Sequence, residues 1–155
     1  MKIEGVVMRC RNTTKLTVLG SVLGFSLFLV DLPLNAQAGK SVWDGVYTQE
    51  QAQRGEPLYL THCGACHGTT LEGGEMAPEL QFGEFVWNYD GFPVSTLYQR
   101  IRETMPLGNT SSVSRTEKAD ILAYIMAKNN FPAGDSELSS RNSELRGINW
   151  NAMKP

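Results

Sequence analysis

Cys63-Gly64-Ala65-Cys66-His67 decides the reading of this 155-residue chain. Two cysteines three positions apart followed at once by a histidine form the attachment sequence of a c-type haem. Thiols at that spacing on one helical turn can each add across one of the two vinyl groups on a haem edge. His67 is then carried beneath the iron, where neutral imidazole is a good ligand through Nε2. The two cysteines alone would also suit a thioredoxin-like dithiol or half of a zinc site. A dithiol belongs in a βαβ pattern, and no strand pattern flanks this stretch. Zinc needs a fourth ligand, and the other histidine, His62, abuts Cys63 and reads as a surface residue.

The chain upstream of this stretch reads as a leader. Lys2, Arg9, Arg11 and Lys15 precede a fifteen-residue apolar run, Leu16 to Val30, closed by Asp31 and Pro33. Ala36-Gln37-Ala38 then supplies a small-residue cleavage site. The run is short for a span, which takes about 20 residues. Residues 1–38 are therefore expected to be a signal peptide cleaved after Ala38; an uncleaved N-terminal anchor is the other reading. Residues 39–132 then form one domain, and 133–155 a tail packed on it or partly disordered. Cleavage removes Cys10, so Cys63 and Cys66 remain, both committed to haem, and no structural disulfide can form in the mature chain.

Cleavage also removes four basic and two acidic residues, leaving ten against fourteen, a net charge of −4. Such a protein does not bind nucleic acid by neutralising phosphates. A partner with a basic face would be steered toward it, in a salt-dependent way.

Residues 40–47 read as an extended lead-in whose Trp43, Val46 and Tyr47 cover an apolar surface. Thr48 and Gln51 form a capping box that opens a helix running toward Cys63. Pro57 cannot donate to the carbonyl of Gln53, so the expectation is a kink, or a helix that begins near Glu56. From Gly68 to Pro93 seven Gly and Pro residues mark irregular chain, with a turn or two of helix around Phe82 to Tyr89. So long a loop needs something to fill the space beside it. Haem would do so, with Phe82, Phe85, Trp87, Tyr89 and Phe92 packed around it. Ser95 is expected to cap a helix over 96–104 with Tyr98, Ile101 and Met105 on one stripe. Ser114 and Glu117 make a second capping box. It opens the strongest helix, Arg115 to about Asn129, with Ala119, Ile121, Leu122, Ile125 and Met126 apolar.

The second axial ligand separates electron transfer from ligand chemistry. Of the four methionines after residue 38, Met126 lies in an apolar helix pattern and Met153 in the tail. Met76 sits ten residues past Cys66 in the glycine-rich loop, whereas Met105 comes 39 residues past it, at a helix end fixed by Pro106. Met105 is the expected ligand and Met76 the alternative.

These residues resemble a class I monohaem c-type cytochrome over about 43–132. The resemblance rests on Gly55-x-x-x-Tyr59-x-x-x-Cys63-x-x-Cys66-His67-Gly68, Ala77-Pro78-x-Leu80, Thr104-Met105-Pro106 and the late helix Ala119 to Tyr124. It implies an all-α cytochrome c fold of about four to five helices, with long loops wrapped around one covalent haem c. It further implies that Gly55 and Tyr59 meet Ile121 and Tyr124, and that the Pro78 carbonyl accepts the Nδ1–H of His67. The implied cofactor-binding set is Cys63, Cys66, His67, Pro78, Trp87 and Met105, with His67 and Met105 on the iron. The function implied is periplasmic single-electron transfer, not catalysis, between protein partners: a donor dehydrogenase and an oxidase or other acceptor. The flanks Val42–Tyr47 and Asn130–Asp135 are similar to cytochromes found beside periplasmic quinoprotein dehydrogenases. On that reading the protein is a dedicated acceptor docking through its lead-in aromatics and tail. A small haem peroxidase or ligand sensor is the third reading.

Overall fold

A computed structural model describes residues 39–155; the expected leader, with Cys10, lies outside the described residues. Its frame is a close pairing of α1 (Gln49–His62) with α5 (Arg115–Lys128). Gly55 is what lets them meet. A methyl group there would fall 2.0 Å from the Asp120 carbonyl oxygen and 2.9 Å from Tyr124 Cβ. One turn further on, the Tyr59 and Tyr124 rings lie 5.4 Å apart. The meeting point is thus Asp120 and Tyr124, one residue displaced from the expected Ile121.

Thr48 caps α1 by accepting from Gln51 N–H at 3.1 Å, but the box is half used. The Gln51 side chain turns instead to Leu138, donating to its carbonyl (3.0 Å) and accepting from its N–H (2.7 Å). Burying that amide costs little because both ends are satisfied. The helix then runs unbroken through Pro57, so the expected late start at Glu56 does not occur. At α5 the box is complete: Ser114 Oγ accepts from Glu117 N–H, and the Glu117 carboxylate accepts from Ser114 N–H at 2.7 Å. Residues 118–126 are buried without a break, so α5 is covered on all its faces.

Single-turn α2 (Gly64–His67) follows α1 directly, and α3 (Gly83–Asn88) interrupts the loop region. Helix α4 (Val94–Thr104) starts at Pro93, two residues before the expected cap; Ser95 is inside it and buried. A proline at that boundary already has the backbone torsions a helix start needs. Met105 ends α4 in an extended conformation.

The tail is part of the folded unit. It adds single-turn α6 (Asn142–Leu145) and β2 (Ile148–Asn149), which pairs in parallel with β1 (Lys40–Ser41). Leu138, Leu145 and Trp150 are buried. Trp150 stands edge-on to Phe131 at 4.9 Å and to Phe85 at 5.8 Å, and its indole N–H donates to the Val86 carbonyl at 3.0 Å. Tyr98 OH reaches the Arg115 and Ser140 carbonyls, both at 2.9 Å, tying α4 to the start of α5 and to the tail. The lead-in aromatics are spent inside the chain as well. Trp43 donates to the Asn151 carbonyl and stands edge-on to Phe131, and Tyr47 donates to the Phe131 carbonyl at 2.6 Å.

Candidate haem site

Between α2, α3, α4 and α5 lies a cavity of about 710 Å³. That is the size of a pocket for a cofactor-sized molecule. Leu80, Phe85, Leu97, Ile101, Ile121 and Ile125 give it an apolar lining. Cys63, Cys66, His67, Pro78, Met76 and Met105 also line it, so the sequence's candidate tethers and ligands converge on one space.

His67 closes α2 and is 8% exposed. Its Nδ1 lies 2.8 Å from the Pro78 carbonyl oxygen. A carbonyl can only accept, so Nδ1 carries the proton and Nε2 keeps its lone pair. That is the tautomer a metal needs, and the bond also fixes the ring's orientation. Tyr59 steadies the turn from the other side, its hydroxyl donating to the Gly68 carbonyl at 2.8 Å. Burial pushes the Tyr59 phenol well above its ordinary range, so it stays a donor.

The two thiols differ. Cys66 is exposed, while Cys63 is half-buried, and burial, with Cys66 beside it, pushes the Cys63 thiol up to about 11. Among the described residues no three His, Cys, Asp or Glu side chains converge as a metal-binding group.

The methionines sort by burial. Met105 is half-buried on the cavity wall, whereas Met76 lines its mouth with 80% of its surface exposed. Met126 is buried in the core away from the cavity, and Met153 is exposed on the tail.

Trp87, expected to pack on the cofactor, is not among the residues of the cavity wall. It is 58% exposed. Helix α3 turns Glu84, Phe85, Asn88 and Tyr89 to the cavity, leaving Trp87 on its far side. Phe82 and Phe92 are also about half exposed and off the cavity; Phe85 and Tyr89 are the aromatics that line it.

The apolar walls, the paired thiols, the tautomer-fixed imidazole and the thioether fit a haem held through two thioethers and two axial bonds. Comparison with known proteins agrees. Residues 50–125 match the family described as cytochrome c oxidase, cbb3-type, subunit III. Cytochrome c-551 of Bacillus subtilis (strain 168) is 32% identical over 115 residues, which is 74% of this chain and 97% of the relative. The chain belongs to the monohaem c-type cytochromes. Its cofactor is one covalently bound haem c with iron, its fold the all-α cytochrome c fold, and its class electron transfer. Among the described residues there are six α-helices where four to five were expected, two of them single turns.

Three residues of this cytochrome's site had no signal in the sequence. Asn129, expected only to stop α5, holds the loop after Pro78: its Oδ1 accepts from Phe82 N–H (2.6 Å) and its Nδ2 donates to the Leu80 carbonyl (2.9 Å). Arg100 supplies a cation on the cavity wall. His62, read as a surface residue, is half-buried and lines the cavity.

Proposed function

We propose that this cytochrome is a diffusible single-electron carrier of the periplasm, with His67 and Met105 as the axial ligands and Cys63 and Cys66 as the thioether tethers. The observation that carries the ligand assignment is the 2.8 Å bond from His67 Nδ1 to Pro78, which leaves Nε2 free in the cavity that Met105 shares. Bound haem would supply a ferric–ferrous couple that exchanges electrons without making a bond to substrate. The chain's own residues do the rest. His67 and Met105 would hold the iron, and a thioether ligand would favour its reduced state. Leu97, Ile101, Ile121 and Ile125 exclude water. Arg100 offers a counter-charge to a propionate.

Electrons would enter and leave at the rim where Cys66, Met76 and Leu107 are exposed. A donor dehydrogenase and an acceptor such as a terminal oxidase are the partner classes, and a net charge of −4 on residues 39–155 favours basic faces on them. Periplasmic placement rests on the leader expected at 1–38. Among the described residues no helix is long and apolar enough to cross a membrane. Trp43 and Tyr47, the docking residues of the dedicated-acceptor reading, are engaged within their own chain, which favours the freely exchanging carrier. A peroxidase or ligand sensor would need an open sixth position, and Met105 stands in that cavity.

Replacement of Met105 tests the assignment. Met105→Ala should lower the reduction potential and let cyanide or carbon monoxide bind, whereas Met76→Ala should do neither. An unchanged potential in Met105→Ala would refute it.

A further inference from the structure

Lys118 is buried, 3% exposed, and nothing in the electron-transfer reading uses it. A buried ammonium is costly unless its donors are met. Among the described residues no carboxylate pairs with it. Its Nζ donates instead to two backbone carbonyls, Thr110 at 2.7 Å and Arg102 at 3.1 Å.

Those carbonyls are the two feet of one loop. Arg102 is in the last turn of α4, and Thr110 opens the short 3-10 turn that precedes α5. Between them run residues 103–109, which include Met105. The Arg102 carbonyl would ordinarily accept from the N–H four residues on. That residue is Pro106, which has none. The helix therefore ends on an acceptor its own backbone cannot satisfy, at the negative end of its dipole, and the Lys118 ammonium satisfies it. The same face of α5 continues with Ile121 and Ile125, which line the cavity. One helix face thus carries both a wall of the haem site and the tie on the loop.

We propose that Lys118 is the positioning residue of the sixth-ligand loop, its ammonium binding the Arg102 and Thr110 carbonyls together so that Met105 is held toward the haem site. This rests on the reading of Met105 as axial ligand.

The test uses the haem-loaded protein and three variants: Lys118→Met, Lys118→Gln and Gln51→Leu. Gln51 is the comparator, since it is buried but bonds to Leu138 in the tail and does not line the cavity. Two readouts apply: the weak far-red band of oxidised protein that reports iron–thioether bonding, and the affinity of ferric iron for cyanide, which must displace the methionine. Lys118→Met should weaken the band and raise cyanide affinity by roughly tenfold, about 1.4 kcal/mol. Lys118→Gln, with a shorter donor, should fall between it and wild type. Gln51→Leu should lower the melting temperature and leave both readouts alone. A full band with unchanged cyanide affinity in Lys118→Met would overturn the proposal. So would an equal gain in cyanide affinity from Gln51→Leu. A band missing from wild type, or one lost in Met76→Leu and kept in Met105→Leu, would remove the Met105 reading itself and this inference with it.

Discussion

Replacing Gly55 with alanine sets helix propensity against helix packing, because the two give opposite signs. In an isolated helix, alanine is better than glycine by about 0.8–1 kcal/mol. In this fold the new methyl group would lie 2.0 Å from the Asp120 carbonyl oxygen, 2.5 Å from its carbon and 2.9 Å from Tyr124 Cβ. Relaxed contacts between such atoms are about 3.5–4.0 Å. Two of the three obstacles are backbone, so no side chain can swing away. Helix α1 must back off from α5 by more than about 1 Å. Overpacking of this kind costs about 1–3 kcal/mol and occasionally more. Moving the helices also loosens the Tyr59–Tyr124 pair, worth about 0.5–1.5 kcal/mol beyond its buried area. With the propensity gain subtracted, the variant should lose about 2 kcal/mol, within a range of about 0.5–3.5 kcal/mol. For a domain of this size the melting temperature should fall by about 10 °C. Calorimetry on haem-loaded wild type and Gly55→Ala, under one buffer, reads the difference directly. A melting temperature equal to or above that of wild type would refute the argument, since propensity alone would then be deciding.

Three further outcomes follow from the same geometry. Trp150→Ala empties a fully buried site and orphans the Val86 carbonyl, so it should cost about 3–5 kcal/mol in urea denaturation; a loss below about 1 kcal/mol would mean the tail is not part of the core. The double change Cys63→Ser, Cys66→Ser removes the tethers, and a small chain without its apolar cofactor should be largely unfolded by circular dichroism; cooperative melting without haem would contradict this. The Ser114 backbone N–H and hydroxyl hold the Glu117 carboxyl below its ordinary range. A carboxyl depressed in the folded state adds stability that is fully present above its unfolded pKa, about 4.3, and is lost as pH falls through the folded value. Ser114→Ala removes the hydroxyl but keeps the backbone N–H, so the Glu117 titration, followed by NMR, should move only part of the way back up toward that figure; an unmoved titration would discount the hydroxyl's share.

The parts legible in the sequence were those whose signal is local. The haem stretch, the Ser114 box and the cap at Thr48 are each written within five residues. Met105 was preferred to Met76 as the proposed ligand because chain length and Pro106 constrain where a side chain can go. The illegible parts depend on distant backbone. Gln51 looked like half of a capping box, yet it bonds to Leu138, 87 residues away. Asn129 looked like a helix-stop residue and Lys118 carried no signal at all; their partners include carbonyls of loops that no periodicity describes. That Trp87 stands off the cavity wall was not legible either, because α3 has six residues, too few turns for an apolar stripe to show its face. The tail's Leu138, Leu145 and Trp150 are isolated in polar sequence, so nothing local marks them as core.

The most direct test is the mass and visible absorbance of the purified chain from a host that matures such proteins, measured after unfolding in denaturant. The account predicts a red chain whose mass exceeds that of its polypeptide by one haem, with the colour still attached when the fold is gone. A colourless chain, or one that releases its pigment on unfolding, would contradict it.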